Sequence, residues 1–214
     1  SSLKLNDLLD VSTNDKNILL GCILDDTHQI NFEAGSEDNL AFGKNIIAEL
    51  NVPNDIVTFN GNKNVMVGSN IFTNSVSDVE IDNNVVIGNT NFDTVKRKTK
   101  NNVSIGNNSF RHETANKSII IGNESGLRSD TEISGVIILG NNSFSNNDQG
   151  ALSKFCEDTI IIGNNTGKNI IEGSNNLIFG NNALMVNKDG SSNIGIGTHT
   201  LKNTIVSKNI AIGY

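Results

Sequence analysis

The sequence predicts an all-β fold, a parallel β-roll or β-helix solenoid of about eleven rungs. Three observations predict it: a short motif recurs every 16 to 25 residues, each copy alternates as a strand does, and Gly closes each copy. Repeats of this length are typical of solenoids, because one repeat cannot bury its apolar face and stacked repeats can. Helices are not expected, since Gly and the abundant Asn, about one residue in six, are poor helix formers.

Each copy of the motif reads Asn, apolar, variable, apolar, Gly, as in residues 102–106, and we number positions from the glycine as zero. The repeat glycines are Gly21, Gly43, Gly68, Gly88, Gly106, Gly122, Gly140, Gly163, Gly180, Gly197 and Gly213. Positions −1 and −3 are apolar in all eleven copies. Apolar residues two apart predict a strand with one buried face, so we expect both positions to point into the coil.

Position −2 lies on the opposite face of the same strand and is also mostly apolar. Its residues are Leu19, Ala41, Met66, Val86, Ser104, Ile120, Ile138, Ile161, Ile178, Gly195 and Ala211. A strand that is apolar on both faces is covered on both faces. In a one-layer coil the second cover is most simply another chain, so position −2 predicts the interchain contact of a homo-oligomer, with a trimer favoured. The smaller residues at this position would let the chains approach closely.

Residues after the glycine predict a sharp turn and a return to the core, so we expect each rung to consist of a strand, a sharp turn, a short second strand and a return. Six consecutive copies have Asn at position +1, and Gly-Asn suits a turn because both residues tolerate positive φ. Position +4 is apolar in Ile47, Phe72, Phe92, Phe110, Phe144, Leu184 and Leu201. Asp25, Gly126 and Gly167 break this rule.

Position −4 is Asn in eight copies: Asn17, Asn39, Asn64, Asn84, Asn102, Asn176, Asn193 and Asn209. Stacked in register, these side chains could form amide ladders along the coil. Asn also suits a turn before a strand, and the sequence leaves both interpretations open.

Residues 83–92 and 175–184 resemble the NNxAIGxxAL repeats of bacteriophage tail fibres and tailspikes, and residues 209–214 match that pattern most closely. Residues 5–11 are similar to the LxDLxDV segments of phage fibres. The repeat core also resembles the SVAIG coils of trimeric autotransporter adhesin heads, a likeness that implies a trimer of parallel β-rolls. The middle copies depart from the family pattern, because Ile stands at position −2 where the family usually has Ala.

The resemblance implies a structural and attachment segment of a viral tail fibre or tailspike, located in the virion tail and contributing to host-cell adhesion. Implied partners are further copies of the chain, other tail or fibre proteins, and a host surface glycan or protein. The alternative is the head of a bacterial trimeric surface adhesin at the cell surface. We divide the chain into a lead-in segment, 1–16, and a repeat domain, 17–214, and we expect it to be a fragment of a longer fibre protein.

Enzymatic function is not expected, and neither a cofactor nor a metal site is predicted. The less favoured enzyme class is a left-handed β-helix acyltransferase, whose six-residue period fails because Arg111 stands six residues after Ile105. Asp78, Glu80 and Asp82 lack the spacing of known calcium loops. The net charge of −7 argues against a nucleic-acid partner, and no apolar run approaches the ~18 residues of a membrane span.

Candidate surface contacts lie in insertions between copies of the motif, which in solenoids map to loops on one face. They are Lys96, Arg97, Lys98, Lys100, Arg111 and His112. We expect any binding specificity to reside in such insertions, including residues 145–157 and the segment around Pro53.

Overall fold

A computed structural model describes residues 9–10, 18–20, 29–32, 37–46, 56–59, 61–71, 80–91, 99–110, 114–126, 131–145, 154–170, 173–186 and 189–214. Over these residues the chain is a parallel β-solenoid of about six turns without a helix, which confirms the all-β prediction. The prediction of eleven rungs is wrong. In the C-terminal copies the described residues after each repeat strand contain turns and no second strand, so these copies are not the complete rungs that the sequence predicted. The word rung below denotes one motif copy with its repeat strand.

A twelve-stranded sheet carries the motif copies. Its strands are β1 (Leu9–Asp10), β2 (Ile18–Leu20), β4 (Leu40–Ile46), β6 (Val65–Ile71), β8 (Val85–Asn89), β10 (Val103–Ile105), β12 (Ile119–Ile121), β14 (Ile137–Leu139), β16 (Ile160–Ile162), β17 (Leu177–Phe179), β18 (Ile194–Ile196) and β19 (Ile210–Ile212). Strand β1 pairs antiparallel with β2, and all other pairs are parallel. Equal motif positions stack on one another, since Val103 pairs with Val85 on one side and with Ile119 on the other.

Two smaller sheets are formed by the strands between the motif copies. A five-stranded sheet contains β7 (Ile81–Asp82), β9 (Thr99–Lys100), β11 (Thr114–Asn116), β13 (Thr131–Ser134) and β15 (Lys154–Glu157). A two-stranded sheet pairs β3 (Gln29–Phe32) with β5 (Ile56–Phe59). Two-residue links, at 83–84, 117–118 and 135–136, lead from strands of the five-stranded sheet into the next repeat strand.

The interior of the coil is filled from position −2, contrary to the sequence-based expectation. Ala41, Met66, Val86, Ser104, Ile120, Ile138, Ile161 and Ile178 are fully buried within the single chain. The prediction that position −2 is the interchain contact is therefore wrong, as is the prediction that −1 and −3 point inward. A strand of three residues directs one side chain to one face and its two neighbours to the other, and alternation alone does not say which face is inside.

Residues from the turns and from the five-stranded sheet complete this core. Phe110, Phe144 and Leu184 at position +4 are buried, as the sequence predicted, and Ala115 and Ile133 pack from the opposite strands. Position +4 of three other copies, Ile47, Phe72 and Phe92, lies outside the described residues.

Left-handed backbone recurs at three motif positions. Position −5 has φ between 46° and 67° in all ten described copies, among them Lys117 and Gly135, and position +2 is left-handed in copies such as Glu124. Position +4 is left-handed as well, with φ of 65° at Phe110, 63° at Gly126 and 59° at Gly167. The two glycines that seemed to break the apolar rule thus keep the backbone conformation of that position, and Ile161 and Ile170 occupy the space beside Gly167.

Buried asparagines at position −4 form amide ladders, which decides between the two interpretations that the sequence left open. Asn84 Nδ2 donates to Asn64 Oδ1 at 3.0 Å and to the Thr99 carbonyl at 2.9 Å, while Asn84 Oδ1 accepts from Asn102 Nδ2 at 2.9 Å. A second ladder joins Asn176, Asn193 and Asn209. Because every buried amide finds a partner in the neighbouring rung, the ladder locks the rungs in register.

Candidate functional surface: the outer face of the large sheet

Side chains at positions −1 and −3 form one continuous apolar surface on the outside of the coil, which we name the apolar face. The apolar face includes Ile18, Phe42, Val67, Ile87, Ile119, Ile121, Leu177, Phe179, Ile196, Ile210 and Ile212, all exposed, and half-buried residues between them such as Val103 and Leu139. None of the eleven copies carries a charged residue at either position.

The dimensions of the apolar face exceed what a monomeric soluble protein normally exposes. Ten steps between eleven strands, each about 4.8 Å, give a strip roughly 48 Å long. Ile121 in its middle is 38% exposed, and Phe179 is 52% exposed. Scattered apolar side chains need no explanation, but an unbroken strip of this length marks an interaction surface.

The outward side chains of the five-stranded sheet that the structure describes are polar. Glu80, Asp82, Lys100, Asn116 and Glu157 are among them, while Ile81, Ala115, Ile133 and Cys156 of the same strands are buried. The same coil therefore offers water a polar surface on one side and an apolar one on the other. The apolar face is therefore a local feature of the repeat strands and does not extend around the whole coil.

Lys100 is the one candidate surface contact that falls within the described residues. Its Nζ lies 2.7 Å from Glu80 Oε2 and 2.7 Å from Asp82 Oδ2. Hydrogen bonds that Lys100 Nζ donates to the carboxylates of Asp82 and, second, Glu80 raise the pKa of Lys100 above its ordinary value. Its charge is thus matched by two carboxylates of the preceding rung, which makes it a poor contact for an anionic partner.

The remaining candidate contacts, Lys96, Arg97, Lys98, Arg111 and His112, lie outside the described residues, as does Asp78 of the calcium candidate. Over the part of the chain that is described, no group of three or more His, Cys, Asp or Glu could hold a metal ion. The same residues contain no helix long and apolar enough to cross a membrane.

Comparison with known proteins found no matching family, no matching curated protein and no matching solved structure.

The inward and outward faces were distinguishable from charge. Position −5 carries Asp38, Lys63, Lys117, Asp158 and Lys208, whereas position −4 is uncharged in all eleven copies. Because strand side chains alternate, position −5 indicates that −3 and −1 face outward, and the buried asparagines at −4 share a face with −2.

Proposed function

We propose that the chain is a structural segment of a homotrimeric fibre, of the kind found in bacteriophage tail fibres and tailspikes, and that it contributes to host attachment. The observation that carries the proposal is the apolar face, which a single chain leaves in water along its whole length. The resemblance of the repeats to phage fibre repeats supports the viral setting.

A second copy of the chain suits the apolar face better than an unrelated partner. Its apolar rows repeat at the strand spacing of about 4.8 Å, and each row holds equivalent residues from every rung. An occupant that covers all rows must repeat at the same spacing over the same length. Another copy related by a rotation axis parallel to the coil meets that condition in each rung.

The width of the apolar face favours three chains over two. Each strand contributes only two apolar residues, and polar residues such as Asn107 and Lys117 stand at its ends, exposed. Two sheets packed face to face would bring these polar ends together across about 10 Å. Three sheets that meet around a threefold axis diverge from the centre. The apolar residues in the middle of each strand are then buried, and the polar residues at the strand ends stay exposed to solvent.

Host attachment is supported by the resemblance and by the insertions between rungs. The purified full chain would be tested on a glycan array and on intact bacterial cells. Binding to one class of surface glycan or to one host would support attachment, with heat-unfolded protein as the control. A trimer that binds neither would reduce the proposal to the structural role alone.

A further inference from the structure

We infer that neighbouring chains align in parallel with equal rungs side by side, and that Lys117 of one chain pairs with Glu124 of the next. This inference rests on the homo-oligomer proposed above. It adds the direction and register of the chains and one specific interchain contact.

Two polar borders flank the apolar face. The leading border is position −5, just before each repeat strand, and the trailing border is positions +1 and +2, just after it. Lys117 on the leading border and Glu124 on the trailing border flank the same strand, Ile119–Ile121, and both are exposed. Their backbones are held in the left-handed region, with φ of 53° and 52°, so both ends of this strand are fixed in place.

Rotation about an axis parallel to the coil moves a chain around that axis without changing the height of any rung. It therefore places the leading border of one chain beside the trailing border of the next, in the same rung. Lys117 then faces Glu124 of the neighbouring chain. In an antiparallel pair with its twofold axis through this rung, Lys117 would face Lys117 and Glu124 would face Glu124.

The charges on the two borders fit the parallel alignment. Over the described residues from 61 onward, Glu124 is the single Asp, Glu, Lys or Arg on the trailing border, and it stands in a rung whose leading border is Lys117. Other charged leading residues face neutral ones: Lys63 would face Ser69 and Asn70. Parallel alignment thus brings no like charges together in these rungs.

Neither side chain of the proposed pair is used within its own chain. The ion pairs of the described residues join Lys100 to Glu80 and to Asp82, and they involve neither Lys117 nor Glu124. Their backbones make the regular hydrogen bonds between rungs: the Lys117 N–H donates to the Lys100 carbonyl, and the Glu124 N–H donates to the Asn107 carbonyl. The two charges are therefore free to meet a partner.

Charge reversal of the full chain tests the alignment, with the association constant measured by sedimentation velocity at several protein concentrations. Lys117→Glu and Glu124→Lys each place like charges across every interchain contact, and we expect each to raise the dissociation constant at least about fivefold. The double variant exchanges the two charges, and its dissociation constant should return to within about twofold of that of the wild type.

Lys63→Glu is the matched control, since it reverses a charge at the same motif position opposite neutral residues and should change the dissociation constant less than about twofold. Each variant is also made with Ile121→Lys, which separates the chains. There the reversals should leave the melting temperature unchanged, because the pair is between chains.

The outcomes separate the two proposals. A monomeric wild type would overturn the proposed homo-oligomer and the alignment with it. Two results with an oligomeric wild type would overturn the alignment alone. One is a double variant that associates as weakly as the single variants. The other is a charge reversal that changes the melting temperature of the separated chains.

Discussion

At the scale of single residues, the ten repeat glycines that the structure describes have φ between 123° and 149°, a region that residues with side chains rarely adopt. A Cβ at Gly122 would also overlap the carbonyl oxygen of Gly140, which belongs to the backbone of the next rung. The sequence predicted positive φ at this position from the turn alone. The close approach of successive rungs, a second and stronger reason for glycine, appears only when the copies are stacked.

Gly122→Ala is expected to destabilise the protein by more than about 3 kcal/mol, because both the backbone angle and the neighbouring carbonyl oppose a methyl group. Denaturant unfolding measures the change. Gly195→Ala is the control: it lies at position −2, where an added Cβ would be 3.2 Å from Thr200 Oγ1 and 3.4 Å from Leu201 Cδ1. An equal loss of stability in both variants would contradict this explanation.

Asn84 tests the buried amide ladder at the same scale. Asn84→Ala removes the hydrogen bond to the Thr99 carbonyl and the side-chain oxygen that accepts from the Asn102 backbone N–H and from Asn102 Nδ2, so we expect a loss of about 2–4 kcal/mol in denaturant unfolding. Asn107→Ala is the matched control, because the Asn107 side chain is exposed and accepts one bond, from the Asn89 amide. We expect it to cost less than about 1 kcal/mol.

At the scale of elements, the sequence predicted the repeat strands well, because apolar pairs and glycines mark them directly. Val103–Ile105 and Ile160–Ile162 lie where the motif placed them. It predicted a short second strand in each rung but did not locate the strands of the five-stranded sheet, such as Thr114–Asn116, whose sequences share no motif. Their positions depend on stacking against the previous rung, a contact between residues distant in sequence.

The inward face was mispredicted for a related reason. Positions −1 and −3 are apolar in every copy, whereas position −2 ranges from Gly195 to Ile178 and Met66, and the uniformly apolar positions were assigned to the core. Inside the coil this variation is accommodated by the facing residues; beside Gly195 the methyl group of Leu201 fills the space. Packing partners of this kind cannot be read from one strand.

Lys100 makes the five-stranded sheet sensitive to high pH. Its pKa is raised above 10.5, chiefly by Asp82 and Glu80, so the ion pairs contribute stability below about pH 10.5 and lose it as the pH rises through the raised pKa. We expect the stability difference between the wild type and Lys100→Met to be constant from pH 7 to about 9 and to shrink above about 10.5.

Unfolding in denaturant at each pH measures that difference. Lys63→Met serves as the control, since Lys63 is exposed and takes part in none of these ion pairs. A Lys100→Met difference that stayed constant to pH 12 would show that the ion pairs do not stabilise the fold.

At the scale of the whole molecule, the coil has one polar and one apolar outer surface. One outer surface carries Lys100 and its carboxylates, and the other is a strip of Ile, Val, Leu and Phe roughly 48 Å long. The sequence predicted a homo-oligomer from strands that are apolar on both faces, and it assigned the wrong face to the contact. The proposal of a trimer now depends on positions −1 and −3.

Ile121 provides the variant for that proposal, because it lies at the centre of the apolar face and is 38% exposed. Ile121→Lys would place a charge at each interchain contact with no partner, at a cost of several kcal/mol per assembly. Glu157→Lys is the control, since Glu157 is exposed on the polar side of the coil. Circular dichroism would establish that both variants keep their β-structure.

The molar mass in solution, measured by light scattering coupled to size exclusion, tests the central claim most directly. We expect three times the mass of one chain for the wild type and for Glu157→Lys, and the mass of one chain for a folded Ile121→Lys. A wild type with the mass of a single chain, or an Ile121→Lys variant with the mass of three, would contradict the claim that the apolar face joins the chains.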